Sequence, residues 1–176
     1  MILLGRVASL LDRARIAAAV IGASALAVHG VARSTYDVDL LTTDARALQD
    51  HTWHSLAEGG VSVEIRRGDD DDPLRGVVRV TKSGERTVDV VVGRHAWQTA
   101  AVDTATPARI LGVEVPVVDR ASLILLKLYA GGPQDLWDIE QLMADTTAET
   151  VRQVDAILSE LPASSRLLWK PLRPHP

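Results

Sequence analysis

The chain has 176 residues, 47% hydrophobic and 24% charged, which is the composition of a globular domain. It contains no cysteine and no phenylalanine, which excludes disulfide scaffolds, thiolate metal sites and thiol nucleophiles and leaves few aromatic platforms for unpaired bases. The 19 Lys and Arg residues against 23 Asp and Glu residues give a formal net charge of -4, which argues against a protein that coats nucleic acid by bulk electrostatics.

No stretch of the sequence approaches the roughly 18 consecutive apolar residues that a membrane span requires. The apolar run 16–21 is also too short for the hydrophobic region of a secretion signal. We therefore expect a cytoplasmic protein with no membrane partner.

The first part of the chain alternates patterns typical of helices and strands. Asp44 is the expected N-cap of the third helix, and Gly59 and Gly60 are expected to end it. The predicted elements are a helix over 2–15, a strand over 16–21, a helix over 23–31, a strand over 36–41 and a helix over 44–58.

The middle of the chain is rich in strands and the end is helical. Thr146 and Glu149 have the spacing of a capping box at the start of the last helix, and an irregular tail is expected from Pro162. The predicted elements are strands over 61–67, 76–81 and 87–92, a helix over 95–101, a strand or strand pair over 110–118 broken at Gly112, and helices over 121–130, 134–144 and 147–161.

This order of elements predicts an α+β fold. We expect a core over residues 1–118, a C-terminal helical segment over 119–161 packed on that core, and an irregular tail over 162–176.

Two carboxylates stand close together on one predicted strand. In the sequence Asp37-Val38-Asp39-Leu40 the polar and apolar residues alternate, so both aspartates project from the same face. Mg²⁺ would relieve their mutual repulsion, since this hard cation prefers one or two carboxylates together with substrate phosphates. Two solvated or turn-forming aspartates are the alternative interpretation of the pair taken alone.

Two further features favour the metal interpretation. Residues 21–26 join a buried strand to a helix, which would place backbone N–H groups and the Ser24 hydroxyl at a positive helix end suited to phosphate. Asp89 lies between Val88 and Val90 in an apolar strand, where an isolated charge is unfavourable unless it meets a cation or hydrogen-bond donors. Three carboxylates and a phosphate cradle together predict phosphoryl chemistry.

These motifs, taken in order, resemble the nucleotidyltransferase fold shared with DNA polymerase beta, and within it the AbiEii-type toxin nucleotidyltransferases. The resemblance covers about residues 16 to 145. It is carried by residues 22–26 (Gly-Ala-Ser-Ala-Leu), 33–40 (Arg-Ser-Thr-Tyr-Asp-Val-Asp-Leu), 88–90 (Val-Asp-Val), 125–128 (Leu-Leu-Lys-Leu) and 134–138 (Gln-Asp-Leu-Trp-Asp).

The resemblance implies a nucleotidyltransferase-like mixed β-sheet flanked by helices, and an enzyme that moves a nucleoside monophosphate from an NTP to an acceptor hydroxyl. Asp37, Asp39, Asp89 and Lys127 would be catalytic residues. The three aspartates would also be the metal ligands for Mg²⁺, with Mn²⁺ as the alternative ion, and Asp89 would position or deprotonate the acceptor. The implied nucleotide-binding residues are Gly22, Ala23, Ser24, Arg33, Lys127 and Asp135.

Lys127 lies within an apolar run and has two interpretations. It could reach water from a helix face, or, as the resemblance implies, contact the triphosphate. Asp135 and Asp138, three residues apart near a predicted helix start, could be part of that site or could cap the helix.

Two charged clusters complete the candidates. The acidic run 69–72 is expected to be a solvated loop, because adjacent carboxylates in a loop repel each other and face different directions. A basic patch for an RNA acceptor is a hypothesis that depends on the faces of the strands, and its members would be Arg66, Arg67, Arg75, Arg79 and Arg86.

The leading functional hypothesis is the toxin of a toxin-antitoxin or phage-defence pair, acting on RNA. The tRNA acceptor and a cognate antitoxin protein follow from the resemblance alone. The alternatives are a nucleotidyltransferase for a small molecule or a protein, and an inactive domain that binds nucleotide or a partner. Because all three aspartates are present, the inactive domain is disfavoured.

Overall fold

Seven strands and eight α-helices form the described part of the chain, residues 1–57 and 60–173 of the computed structural model. The strands are β1 (Ala19–Val20), β2 (Asp37–Thr42), β3 (Ser62–Arg67), β4 (Gly76–Thr81), β5 (Thr87–Val92), β6 (Thr106–Ile110) and β7 (Val113–Val117). The helices are α1 (Leu3–Arg13), α2 (Gly22–Val28), α3 (His54–Ala57), α4 (Ala96–Asp103), α5 (Arg120–Ala130), α6 (Pro133–Met143), α7 (Ala148–Ile157) and α8 (Ala163–Leu172). Short 3-10 helices cover Ala45–Leu48, Asp50–Trp53 and Leu158–Glu160.

The strands form one mixed sheet in the order β3-β4-β5-β2-β1-β7-β6. Neighbouring strands are parallel in the pairs β2/β5 and β1/β7 and antiparallel in the other four pairs. Helices pack against this sheet, so the predicted α+β class with a mixed sheet is confirmed.

One face of the central strands β2 and β5 is apolar and packs in the core. Val38 and Leu40 on β2 are buried, as are Val88 and Val90 on β5, and they share a core with the leucines of α1. Because side chains alternate along a strand, the residues between them project from the opposite face. That second face carries Asp37 and Asp39 on β2 and Asp89 on β5.

The C-terminal helices are organised around α5. This helix contacts α2, α4, α6, α7 and α8, and its Leu123, Ile124 and Leu128 are buried. Arg120 at its start donates a hydrogen bond to the carbonyl of His29, just after α2, at 2.9 Å. The helical part is therefore joined to the strand-turn-helix segment near the start of the chain, while the division of the chain at residue 118 stays a prediction.

The predicted helix over 44–58 is wrong in form. Asp44 does cap a helix, since it accepts from the Arg46 amide at 2.9 Å, but two 3-10 helices and the short α3 follow instead of one long helix. Side chains take the carbonyls that an α-helix would use: Trp53 Nε1 donates to Ala47 O and Thr52 Oγ1 donates to Arg46 O. The predicted end at Gly59 lies outside the described residues.

The predicted irregular tail from Pro162 is also wrong over most of its length. Residues 163–172 form α8, which buries Trp169 and Ser165 on one side. Pro171 lies in the last turn of this helix, where it removes only one N–H donor and does not end the helix early. Residues 174–176 lie outside the described residues.

Smaller corrections concern the ends of elements. Thr147, not Thr146, is the N-cap of α7, because its hydroxyl accepts from the Thr150 amide whereas Thr146 Oγ1 donates to Leu142 O. The strand predicted over 16–21 is ordered as a strand only at Ala19–Val20. The strand pair broken near Gly112 is confirmed, and its first member begins at Thr106.

None of the described helices has the length and apolar character that a membrane crossing requires.

Candidate active site

Three aspartates converge on the polar face of the sheet. Asp37 and Asp39 lie two residues apart on β2, and Asp39 is the register partner of Asp89 on the parallel strand β5. One carboxylate oxygen from each residue can be chosen so that all three lie within 4.8 Å of one another. The structure therefore brings together the three carboxylates that the sequence singles out as metal ligands.

Asp39 is a member of this cluster whose pKa is raised. Its burial, together with the charges of Asp37 and Asp89, raises the pKa of its carboxyl to about 6, while Lys127 and Arg33 oppose the shift. Its neighbour Asp37 accepts a hydrogen bond from Thr35 Oγ1 at 2.5 Å. A site of three crowded carboxylates whose central member is hard to ionise fits a hard divalent cation held by oxygen.

The turn before α2 lies directly against Asp39. Gly22 has a φ of 62°, and a Cβ built on it would lie 2.2 Å from Asp39 Oδ2, so any larger residue would collide with the carboxylate. The Ile21 amide also donates to the Asp39 carbonyl at 2.9 Å. Ala23 is buried and Ser24 half-buried in the first turn of α2, so the predicted phosphate turn lies beside the carboxylates.

Lys127 belongs to a buried network of ion pairs. Its Nζ lies 2.6 Å from Asp138 Oδ2 and 2.8 Å from Asp135 Oδ1, and its side chain is 9% exposed. The interpretation in which it reaches out to water is therefore wrong. Arg33 Nη1 approaches the same Asp138 oxygen at 2.6 Å, so one fully buried carboxylate holds two cations from distant parts of the chain.

Asp135 has two roles in the structure. Besides pairing with Lys127, it accepts from the Gly132 amide at 3.2 Å, which caps the start of α6. The capping interpretation is thus confirmed for Asp135, while its place in a nucleotide site stays a prediction. Asp138 has the more central place, because it is 0% exposed and connects Arg33, Lys127 and Gln134. The sequence does contain a signal for Asp138: Lys127 lies within an apolar run and is followed by two aspartates three residues apart.

Asp89 is paired with an arginine that the sequence marked only as a member of the basic patch. Arg79 on β4 is its register partner, and donates to both carboxylate oxygens, Nε to Oδ1 at 2.9 Å and Nη2 to Oδ2 at 2.7 Å. This contact raises the pKa of Arg79. Only the strand register reveals the pair, because the two residues are brought together by the β4/β5 turn.

Two clefts lie near the carboxylates: Asp39 and Asp89 line the first, and the second is lined by Thr35, which donates to Asp37. We call the first the Asp89 cleft; it has a volume of about 460 Å³, and its charged lining residues are Asp39, Asp72, Asp89, Arg66, Arg67 and Arg79. We call the second the Ser24 cleft; it has a volume of about 630 Å³, and its polar lining residues are Ser24, Arg33, Ser34, Thr35, Tyr36, Arg86 and Arg109. The Ser24 cleft has no acidic lining residue, so its charge is positive, whereas acids and bases balance in the Asp89 cleft.

The predicted basic patch is divided between these clefts. Arg66, Arg67 and Arg79 line the Asp89 cleft, and Arg86 lines the Ser24 cleft. Exposed Arg75 lines neither. Each cleft therefore receives part of the positive charge that the sequence suggested for one surface.

The acidic run 69–72 forms an exposed loop, as predicted. Two of its carboxylates are used within the loop: Asp69 accepts from the amides of Asp71 and Asp72, and Asp72 accepts from the amide of Asp69. Arg94 donates to the carbonyls of Asp69 and Asp70, which holds the loop at the edge of the sheet. Among the residues that the structure describes, the only acidic group arranged to hold a metal is the one on β2 and β5.

Comparisons with known proteins support the fold. A protein from Thermotoga maritima assigned as a nucleotidyltransferase is 15% identical and has a TM-score of 0.51, covering 83% of this chain and 97% of that protein. An antigenic nucleotidyltransferase-like protein from Paracoccidioides brasiliensis is 18% identical with a TM-score of 0.50, covering 95% and 90%. A lincosamide antibiotic adenylyltransferase bound to lincomycin is 12% identical with a TM-score of 0.50, covering 81% and 96%.

These structures share the nucleotidyltransferase fold with this chain, which confirms the expected fold. At such low identity the likeness concerns the fold alone. No protein-family model matches the chain, and no curated protein matches its sequence.

Proposed function

We propose that the chain is a nucleotidyltransferase that uses a divalent cation, Mg²⁺ or Mn²⁺, to move a nucleoside monophosphate from an NTP to an acceptor hydroxyl. The observation that carries the proposal is the convergence of three carboxylates within 4.8 Å beside the Gly22 turn. When bound, the cation supplies positive charge that stabilises the charge developing on the phosphoryl oxygens. The fold, which this chain shares with nucleotidyltransferases, supports the assignment.

The three aspartates have different places in the proposed reaction. Asp37 and Asp39 on β2 would hold the cation, with Asp89 on β5 as its third ligand. Asp89 lies at the wall of the Asp89 cleft, where it positions the acceptor hydroxyl and takes its proton. The hydroxyl oxygen then forms a bond to the α-phosphorus, and the bond to pyrophosphate breaks, so that the pyrophosphate leaves with its electron pair.

The triphosphate is assigned to the Ser24 cleft. This cleft combines Ser24 and the first turn of α2 with Arg33, Arg86 and Arg109, and its lining contains no carboxylate that would repel an anion. Gly22 and Ala23 bring the backbone close to Asp39 at the edge of this site. Electrostatic attraction therefore favours the NTP on this side and leaves the Asp89 cleft for the acceptor.

Lys127 and Asp135 are the remaining residues of the nucleotide site in this proposal; they do not line the Ser24 cleft, but Asp138 connects Lys127 to its lining residue Arg33. The Lys127 ammonium has three N–H donors, and two of its acceptors are Asp135 and Asp138. The third N–H is the one that we assign to the triphosphate. Asp135 and Asp138 then orient the lysine and prevent it from turning away.

The acceptor that we propose is RNA, and the biological role is that of the toxin in a toxin-antitoxin or phage-defence pair of the AbiEii type. Arg66, Arg67 and Arg79 at the Asp89 cleft support this choice, because guanidinium groups bind phosphates of a nucleic acid backbone. The tRNA 3′ end and a cognate antitoxin protein follow from the sequence resemblance.

A small-molecule acceptor is the second candidate. The Asp89 cleft has a volume of about 460 Å³, within the range of sites that bind small ligands. One solved structure with this fold belongs to an adenylyltransferase bound to lincomycin.

The test is label transfer from each α-labelled NTP in the presence of Mg²⁺ and, in separate reactions, total tRNA, lincomycin, an aminoglycoside or a protein mixture. We expect transfer to tRNA by the wild type and by the control Asp12→Asn, whose site lies on α1 away from the carboxylates. Transfer by Asp39→Asn and Asp89→Asn should fall by about two orders of magnitude.

The acceptor that becomes labelled decides between the two candidates. Transfer that survives both substitutions would contradict the proposed roles of the aspartates. A chain that binds labelled NTP but modifies none of the acceptors would be a nucleotide-binding domain and not an enzyme.

A further inference from the structure

The three carboxylates of the site are unequal, because a guanidinium occupies only one of them. Both oxygens of Asp89 accept hydrogen bonds from Arg79, at 2.7 and 2.9 Å. Among the described residues no such partner contacts Asp39, and Asp37 accepts only from the hydroxyl of Thr35. Asp37 and Asp39 are therefore open toward a cation from which Asp89 is partly shielded.

The Arg79 fork and a divalent cation cannot both use Asp89 freely. A guanidinium that donates to both oxygens lies in the plane of the carboxylate and places a positive charge where a cation would approach. A second cation on the same oxygens meets electrostatic repulsion at short range. Asp89 thus offers a metal both oxygens free of a competing charge only when Arg79 withdraws.

The surroundings of Arg79 allow that withdrawal. Its side chain is 49% exposed, whereas the Asp89 side chain is 9% exposed, so the arginine is the partner that is free to move. Glu64 on β3 is the register partner of Arg79 on the side opposite to Asp89. Arg79 therefore lies between two carboxylates, one inside the site and one at its edge.

We propose that Arg79 is a positioning residue that competes with the divalent cation for Asp89 and keeps this carboxylate off the metal until the arginine is displaced. The proposal rests on the metal role of the three aspartates in the proposed function. In the absence of metal, the pair also fixes the Asp89 carboxylate on the wall of the Asp89 cleft.

The first experiment measures Mn²⁺ binding to the whole chain without nucleotide, from the electron paramagnetic resonance signal of free Mn²⁺. For Arg79→Gln we expect a Kd about fivefold lower than that of the wild type, because the competing cation is gone. Arg66→Gln is the matched control: it removes the same charge from the same cleft, but Arg66 pairs with Glu64 and not with Asp89. Its Kd should stay within about twofold of the wild type.

A double variant separates competition from general electrostatics. In the Asp89→Asn background the Arg79→Gln substitution should leave the Kd for Mn²⁺ unchanged, since the shared carboxylate is absent. An equal gain in both backgrounds, or no gain in the wild-type background, would overturn the proposal.

A measurement on the unsubstituted protein guards against loss of folding in the variants. The Arg79 Nε–H resonance, assigned by its absence from Arg79→Lys, should shift during a Mg²⁺ titration as the guanidinium leaves Asp89. A resonance that is unchanged at saturating Mg²⁺ would contradict the displacement.

The result of the Mn²⁺ binding experiment can be separated from the result of the nucleotide-transfer assay. If the Mn²⁺ pattern is as expected and no nucleotide is transferred, the competition stands and the proposed reaction fails. If neither the wild type nor Arg79→Gln binds Mn²⁺, the metal site and the competition fail together.

Discussion

At the scale of single residues, Asp39 is a carboxyl group whose ionisation is opposed by its surroundings. Its pKa is raised from 3.8 to about 6 by burial and by the two neighbouring aspartates. A raised acid pKa means that the folded chain holds more protons than the unfolded chain between these values, so the free energy of unfolding falls as the pH rises through this window. Ionised Asp39 therefore destabilises the metal-free protein above about pH 6.

The first prediction follows from this pH dependence of the free energy of unfolding. In EDTA at neutral pH, Asp39→Asn should raise the free energy of unfolding by about 2 kcal/mol, since asparagine removes the buried charge. The gain should shrink as the pH falls from about 6 toward 3.8, where Asp39 itself is protonated. Urea unfolding at a series of pH values measures it, and a gain that is constant over this range would contradict the assignment.

The second prediction concerns the Gly22 turn. Gly22→Ala should reduce both the free energy of unfolding, by more than about 1 kcal/mol, and the affinity for Mn²⁺, because the new Cβ would collide with Asp39 Oδ2 on a backbone of positive φ.

Gly84 provides the matched control for this substitution. It also has a positive φ, of 78°, but a Cβ there meets nothing within 4 Å. Gly84→Ala should therefore lower the free energy of unfolding by only about 1 kcal/mol, from the positive φ alone, and should leave the affinity for Mn²⁺ unchanged. Equal losses of metal affinity in both variants would show that the contact with Asp39 is irrelevant.

The sequence predicts individual residues of the site where the signal is local. Alternation on β2 identifies Asp37 and Asp39, and the strand-turn-helix pattern identifies Gly22. The sequence does not predict the pairs Arg79–Asp89 and Arg33–Asp138. The first depends on strand register, and the second joins residues about a hundred positions apart.

At the scale of elements, side-chain contacts overrule the predicted form in two segments, within the segment itself in the first and from other helices in the second. The helix predicted over 44–58 is divided because side-chain donors, among them Trp53 Nε1 and Thr52 Oγ1, take its carbonyls. The segment after Pro162, expected to be irregular from its prolines, becomes α8 because Trp169 finds a buried site against the other C-terminal helices. The packing partners of Trp169 lie outside the segment after Pro162, so that segment's own sequence does not reveal them.

The third prediction tests whether α8 is part of the core. Trp169 is 1% exposed and its Nε1 donates to Asp155 Oδ1 at 2.8 Å. Trp169→Ala should lower the free energy of unfolding by about 3 to 5 kcal/mol, measured by urea denaturation. Leu167→Ala on the same helix, at a side chain that is 61% exposed, should change it by no more than about 0.5 kcal/mol. Similar effects in the two variants would contradict the packing of α8.

At the scale of the whole molecule, the sequence predicts the class of fold and the order of most elements, since each strand and long helix has its own periodicity. It does not predict the strand order β3-β4-β5-β2-β1-β7-β6, because pairing is decided between segments. The resemblance of the motifs predicts the nucleotidyltransferase fold, and the similarity to solved nucleotidyltransferase structures confirms this fold.

The fourth prediction follows from a repulsive cluster at the centre of the sheet. A divalent cation that binds only the folded chain should raise the midpoint of thermal unfolding. At a concentration about 100 times its Kd the gain is about 2.7 kcal/mol, or roughly 5 to 10 °C for a chain of this size. Differential scanning fluorimetry with Mg²⁺ or Mn²⁺ checks it. The double variant Asp37→Asn/Asp39→Asn should show no rise, and an equal rise there would place the ion elsewhere.

The parallel pairing of β2 with β5 has a consequence for the newly made chain. Asp37 and Asp39 leave the ribosome about fifty residues before their partner Asp89, and Asp138 follows about fifty residues later. Parallel strands pair only after the intervening segment has been synthesised and folded across. The three aspartates can therefore meet only after β5 has been synthesised, and a polypeptide released before residue 138 lacks the buried partner of Lys127 and Arg33.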